Sequence, residues 1–296
     1  MKRWLLMMLI GLLIFTLFLA LEINASHGLN SIQLPFHIAN TETLRITTLT
    51  VSILIAGYGF YRFYGAMLRP FLKPGTFVFD TISNYQKKEK GPRIVALGGG
   101  TGLSTLLRGL KQFSHNLTAV VTVADDGGSS GQLRQNLGIL PPGDIRNCLA
   151  ALSNDEELLT QVFQYRFGER AGVNGHSLGN LFISALTDIT GSFEEAVAES
   201  GRVLAIKGRV LPSTLHDVGL VAEIETKEKH EIVNVVGESR IPLTEGKIKR
   251  LWLEPSNPFP YPPAVQAILN ANLIILGPGS LYTSILPNLL VPGIVE

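Results

Sequence analysis

Three glycine-rich segments, each following a short apolar run and preceding a helical one, constrain this chain more than any other feature: GGGTG (98 to 102), ADDGGSSG (124 to 131) and GPGS (277 to 280). Unpaired backbone N–H groups at a strand-to-helix turn form an anion site, because they point outward and the helix dipole adds to their field. Three such turns in one domain suggest a ligand that carries a diphosphate.

The runs around these turns set the fold class. Residues 93 to 97 form a short β-branched and apolar run that fits a buried parallel strand, and Leu103, Leu106, Leu107 and Leu110 then recur at helical spacing. Residues 117 to 123 are the next strand, ending in Asp125 and Asp126. PPGD (141 to 144) reads as a turn with Asp144 as the N-cap of a helix over 145–152. Further helices are expected over 156–167 and 178–188, and Ser192 with Glu195 makes a capping box for one ending near Ile206. Between residues 209 and 253 the pattern changes to short strands, with 218–225 and 231–236 as a hairpin. A helix over 263–270 and a final buried strand over 272–276 run into GPGS. Strands alternating with helices imply an α/β fold, a Rossmann-like doubly wound parallel sheet with a small β-rich insertion. In such sheets ligands settle outside the carboxyl ends of the strands, where all three glycine loops fall.

The N-terminus has another character. A chain of 296 residues that is 46% hydrophobic and 17% charged is too apolar for an ordinary soluble domain, and the excess lies in two runs. Residues 4–21 carry no charge and as a helix would span roughly 27 Å, close to the ~30 Å hydrocarbon layer. The second run, 44–63, has Arg45 and Arg62 near its ends, where both can snorkel, and Tyr58, Tyr61 and Tyr64 suit an interfacial belt. Lys2 and Arg3 precede the first run, no Lys or Arg lies between the two, and Arg62, Arg69, Lys73, Lys87, Lys88 and Lys90 follow. This bias puts both ends of a multi-pass hairpin, and the main domain, on the cytoplasmic side of a cell membrane. A cleaved signal peptide over 1–20 is the alternative, opposed by the length of the first run and by the second. The expected organisation is two transmembrane helices in a hairpin over 1–70, a linker over 71–91 and a nucleotide-binding domain over 92–296. Cys148 is the single cysteine, so no intrachain disulfide forms, which agrees with a reducing compartment. A net charge of +1 argues against a nucleic-acid partner, and the basic residues 87–93 read as a solvated linker that favours an anionic leaflet.

Taken singly, the loops leave alternatives open. In GGGTG, Gly98 and Gly100 match the dinucleotide fingerprint but Leu103 takes its third glycine position, and no P-loop Lys follows. A tight turn for close helix packing is the other reading. Asp125 and Asp126 suit a ribose, a bridging Mg²⁺ or a helix cap. GHSLGN (175 to 180) sets His176, Ser177 and Asn180 on the first turns of a helix, where Asn180 could bond a base, sugar or phosphate and His176 either meets ligand or packs. GPGSLYTS offers Gly277 and Gly279 for backbone approach, Ser280 as N-cap or phosphate donor, and Tyr282 to stack or hydrogen-bond. No nucleophile elbow, zinc spacing or Cys-His pair occurs.

GGGTGLSTLLRGLK, VTVADDGGSSGQLR, PPGDIRN, GHSLGNL and LGPGSLYTSILPNLLVPGI, in that order from about Arg93 to Glu296, resemble the gluconeogenesis factor family, which is related to 2-phospho-L-lactate transferase. The resemblance implies a Rossmann-like core, a role in growth on gluconeogenic carbon sources and in cell-wall morphogenesis, and binding of uridine-diphosphate sugars. It implicates Gly99, Gly100, Thr101 and Gly102 at the diphosphate, Asp125 and Asp126 near ribose or metal, Asn180 in the cleft, and Gly279, Ser280 and Tyr282 at the nucleotide-sugar. The transferase relatives attach a phospholactyl group to a deazaflavin from a guanylylated donor with Mg²⁺. Two readings result: a membrane-tethered regulator that senses a UDP-sugar and needs no cofactor or resident metal, and a transferase acting on a nucleotide-activated donor with Mg²⁺. Nicotinamide-dependent reduction is weakened by Leu103 and the lack of a clear proton donor. Many family members lack the hairpin, and members continue past VPGIVE, so the domain is expected to be C-terminally incomplete. Catalytic residues and protein partners stay unassigned, and a homo-oligomer stays open.

Overall fold

The computed structural model describes residues 2–26, 42–68, 78–153, 156–168, 175–227 and 230–296. The chain divides into two compact units, Met1–Tyr85 and Gln86–Glu296.

In the first unit, α1 (Lys2–Ser26) and α2 (Glu42–Leu68) pack side by side in opposite directions, with Gly11 against Ala56 and Gly59 against Met8. A Cβ at Gly11 would lie 2.5 Å from the Ala56 backbone nitrogen, so glycine is what lets the two backbones approach. Lys2–Ala20 (19 residues) and Ile46–Leu68 (23 residues) are long and apolar enough to cross a bilayer. Their large apolar side chains, among them Leu13 and Leu54, point away from the helix pair. Apolar outside and close-packed small residues inside is the pattern that lipid accepts and water penalises. Near one end of the pair, Trp4 meets Tyr58 edge-on at 6.0 Å and takes the Arg62 guanidinium 4.4 Å over its ring, an amphipathic cluster suited to the headgroup region. The expected connection between the spans, residues 27–41, and the basic residues Arg69 and Lys73 lie outside the described residues. Where the sequence reading expects a linker, residues 78–89 form a helix, α3 (Val78–Glu89), with Asp80 in its first turn and Lys87 and Lys88 in its last, matching its dipole.

The second unit is built on a parallel sheet of β1 (Ile94–Gly98), β2 (Leu117–Val121), β3 (Arg209–Pro212) and a later strand. Between β3 and that strand lie β4 (Gly219–Thr226), β5 (Ile232–Val236) and β6 (Gly246–Glu254), which form a separate antiparallel sheet in the order β5-β4-β6. The last strand is β7 (Leu273–Leu276), and the main sheet runs β3-β2-β1-β7, all parallel. Every residue of β1 and β2 is buried, which explains why both read as unbroken apolar runs. The hairpin of β4 and β5 forms as expected, and β6 adds a third strand in register from Leu220↔Leu253, with a bulge at Glu223/Ile224.

The helices are α4 (Gly100–Leu110), α5 (Gly128–Leu137), α6 (Gly143–Leu152), α7 (Glu156–Gln164), α8 (Leu178–Thr190), α9 (Phe193–Val203), α10 (Pro262–Leu269) and α11 (Leu286–Leu289). Leu103 and Leu107 of α4 and Ile145, Cys148 and Leu149 of α6 are fully buried in one core with the sheet. Ser177 caps α8 and Ser192 caps α9, each hydroxyl accepting from the backbone N–H three residues on. Two boundaries differ from the sequence reading. Helix α6 starts at Gly143 with Pro142 at the cap, so Asp144 is not an N-cap but lies inside the first turn. Helix α7 stops at Gln164, because Arg166 pairs across to Ser177 in an isolated bridge.

The order β3-β2-β1-β7 also locates the crevice. The chain steps from β1 to β2 to β3 on one side, then returns to the other side of β1 with β7. The switch point is therefore between β1 and β7, and GGGTG and GPGS are the loops at its two carboxyl ends.

Candidate functional site

At the switch point the two glycine loops touch. A Cβ on Gly102 would fall 2.6 Å from the Pro278 carbonyl oxygen and 3.2 Å from the Gly279 nitrogen. No side chain fits there without moving backbone, so glycine is required by close approach. Asn288, fully buried, clamps the pair: its Nδ2 donates to Gly98 O at 2.9 Å and to Ser284 O at 2.8 Å. Ser280 caps the π-helical turn over Leu281–Ile285, its hydroxyl accepting from the Thr283 N–H at 3.3 Å.

Carboxylates surround this junction. Asp144, from the start of α6, lies over Gly99, where a Cβ would meet its Oδ2 at 2.5 Å, and accepts from the Gly100 N–H. Burial, then the charge of Asp125, pushes its pKa up to about 7, against the Gly100 bond. Asp125 follows β2; its Oδ1 accepts from the Gly127 N–H at 2.9 Å, and burial raises its pKa despite that bond and one with Ser130. Glu238, in the turn after β5, accepts from the Thr283 hydroxyl beside Tyr282. Burial raises its pKa too, with Asp125 and Asp126 adding to the effect. Asp126 turns elsewhere: its Oδ1 accepts from the Ser239 N–H at 2.8 Å and ties the insertion to the sheet.

A hydrogen-bonded network lies behind the start of α5. Asn180 Nδ2 donates to Ser129 Oγ at 3.0 Å, and Ser129 Oγ lies 2.9 Å from His176 Nδ1. The Ser129 hydroxyl, with one donor hydrogen and two acceptor lone pairs, thus joins Asn180 to the imidazole of His176. Arg146, 7% exposed, donates to Asn180 Oδ1 at 3.1 Å and to Ser177 Oγ. Asn180, itself 1% exposed, is thus a tie between α5, α6 and α8.

The structure brings Gly99, Gly100, Gly102, Gly279 and Asp125 around one junction, with Thr101 exposed on the first turn of α4 and Ser280 and Tyr282 exposed in the opposite turn. Asn180 and Asp126 are held by other protein groups. Sequence reading missed Asp144, Glu238, Arg146 and Asn288 as site residues. PPGDIRN carried a signal for the first and third, whereas nothing local distinguishes Glu238 or Asn288.

Asp125 and Asp144 are the pair that suits a cation. Mg²⁺ takes one or two carboxylates and fills its octahedron with phosphate oxygens and water, so two acids that repel each other in a desolvated setting fit it. Among the described residues no three His, Cys, Asp or Glu side chains are grouped so as to cage an ion.

Residues 94–296, well over half of the chain, match the family described as 2-phospho-L-lactate transferase CofD. A putative gluconeogenesis factor from Nostoc is 56% identical over 227 residues, covering 76% of this chain and 49% of the relative. The gluconeogenesis factor of Bacillus subtilis is 55% identical over 205 residues, covering 69% of this chain and 63% of the relative. The crystal structure of a UPF0052 family protein from Bacillus halodurans aligns with TM-score 0.64 and 53% identity, over 69% of this chain and 64% of that one. This chain thus spans about half to two thirds of the length of these relatives. The chain therefore belongs to the CofD family, and relatives more than half identical to it carry the name gluconeogenesis factor.

Proposed function

We propose that the chain is a membrane-tethered regulator that binds a UDP-sugar on the cytoplasmic side and so couples cell-wall precursor supply, and with it cell shape, to growth on gluconeogenic carbon. The observation that carries this reading is the contact of Gly102 with Pro278 and Gly279 at the switch point, which sets the amino end of α4 against the Ser280 turn. A diphosphate held between them meets two sets of backbone N–H groups. Tyr282, 42% exposed, is available to stack on the uracil ring. Asp144 already holds the Gly100 N–H, so an anionic ligand needs that carboxyl protonated or neutralised. Asp125 and Asp144 would hold a Mg²⁺ ion, whose charge would supply that neutralisation. The regulator reading follows the relatives named gluconeogenesis factor, with binding rather than turnover as the proposed output.

A second reading is a transferase that moves a phospho group from a nucleotide-activated donor with Mg²⁺. The match to the CofD transferase family and the fit of Asp125 and Asp144 to a cation favour it. Calorimetric titration with UDP-sugars, guanosine nucleotides and NAD, with and without Mg²⁺ and with product analysis, separates the two. Saturable UDP-sugar binding without product supports the regulator. Guanosine-nucleotide binding with product formation selects the transferase, and preference for NAD rejects both.

A further inference from the structure

At the opposite, amino end of the parallel sheet, a cavity of about 550 Å³ opens between the strand starts and α10. Its volume lies inside the ~300–1,000 Å³ range of small-molecule sites. Strand register explains its chemistry. Val95 pairs with Thr118 and Thr118 with Arg209, and register partners in a parallel sheet point to the same face. Arg93 precedes Val95 by two residues and therefore shares that face. Two guanidinium groups thus flank β2 from the strands on either side of it, with starts roughly 10 Å apart, close enough for both side chains to reach one anion. Among the described residues neither Arg93 nor Arg209 has an ion-pair partner, and no Asp or Glu lines the cavity. His115 lines it as well, its Nδ1 3.2 Å from Glu89 Oε1 at the rim. From the other wall, Gln266 and Asn270 of α10 present amides, while Ile94, Val95 and Ala267 give an apolar floor.

We infer that this cavity is a second ligand site, for a phosphomonoester of sugar size. Paired guanidinium forks recognise the phosphate dianion, and side-chain amides meet hydroxyls. The site lies about 15 Å, the length of a five-residue strand, from the glycine loops, so it is separate from the nucleotide-sugar site and independent of what binds there.

The test is titration of the full chain in detergent with glucose 6-phosphate, with glucose and inorganic phosphate as the other arms. Glucose 6-phosphate is expected to bind saturably, phosphate more weakly and glucose not at all. Arg93→Gln and Arg209→Gln, both at exposed positions, should each weaken glucose 6-phosphate binding roughly tenfold. Gln266→Trp, which fills the cavity without changing its charge, should abolish binding. UDP-glucose binding should be unaltered in all three. Absence of saturable glucose 6-phosphate binding overturns the inference, as does binding that survives these variants. Phosphate binding as tightly as the ester would remove the sugar half of the claim, and displacement by UDP-glucose would move the ester to the carboxyl-end site. Failure of UDP-glucose to bind would reject the regulator reading alone.

Discussion

Asp144→Asn gives the sharpest energetic consequence of the site. The carboxyl titrates at its ordinary 3.8 in the unfolded chain and at about 7 when folded, because burial and Asp125 disfavour its charge. Between these values the folded state holds a proton that the unfolded state has released, so stability falls as pH rises through that window. A difference of about 3 pH units at ~1.36 kcal/mol each gives an upper limit of about 4 kcal/mol, fully developed above pH 7 and absent below the unfolded value. Asp125, raised by burial as well, titrates with it, so the figure belongs to the pair. Asn is neutral throughout, and its carbonyl can keep the Gly100 N–H bond. The assay is urea unfolding of the detergent-solubilised chain between pH 5 and 8, followed by Trp252 fluorescence in a Trp4→Phe background. Wild type should lose ground to Asp144→Asn by roughly 2–4 kcal/mol across that range, and Mg²⁺ should narrow the gap at pH 8. Parallel stability curves would refute the placement of a buried, repelled carboxylate over Gly99.

Gly102→Val should abolish UDP-sugar binding by forcing Pro278 away, and should cost about 1–3 kcal/mol of stability by overpacking; Gly109→Val, where a Cβ meets open space, is the control, and equal binding by both variants would contradict the loop contact. Tyr282→Ala should weaken UDP-sugar binding by ~1–3 kcal/mol if the ring stacks on the base, and an unchanged affinity removes Tyr282 from the site. Asn180→Ala strips Ser129 and the buried Arg146 of a partner and should destabilise the fold by about 1–3 kcal/mol, measured by thermal unfolding; a loss of affinity without a loss of stability would instead give Asn180 a direct ligand contact.

What could be read from the chain is what local physics controls. Residues buried on both faces made β1 and β2 visible, and Ser192 and Ser280 announced helix starts because a hydroxyl there meets an N–H three residues on, whereas Ser177, expected inside the first turn of its helix, proves to be the cap. The glycines of GGGTG and GPGS marked close approach without naming what they approach, and the Gly102–Pro278 contact answers that only after topology sets β7 beside β1. Long-range partners stayed hidden. Asn288 bonds Gly98 from 190 residues away, and Asp126 meets Ser239 from 113, distances over which no periodicity speaks. Asp144 was misread for a related reason: a turn followed by Asp resembles a cap, but the second proline of PPGD takes the cap and sends the carboxylate to Gly99.

The central claim is that several main-chain turns serve one ligand. Amide chemical-shift mapping with UDP-glucose on ¹⁵N-labelled chain in the presence of Mg²⁺ tests it most directly. Resonances of Gly99–Gly102, Gly127–Ser130 and Gly279–Ser280 should move together with one saturation curve. Shifts confined to a single loop, or curves with different midpoints, would contradict it.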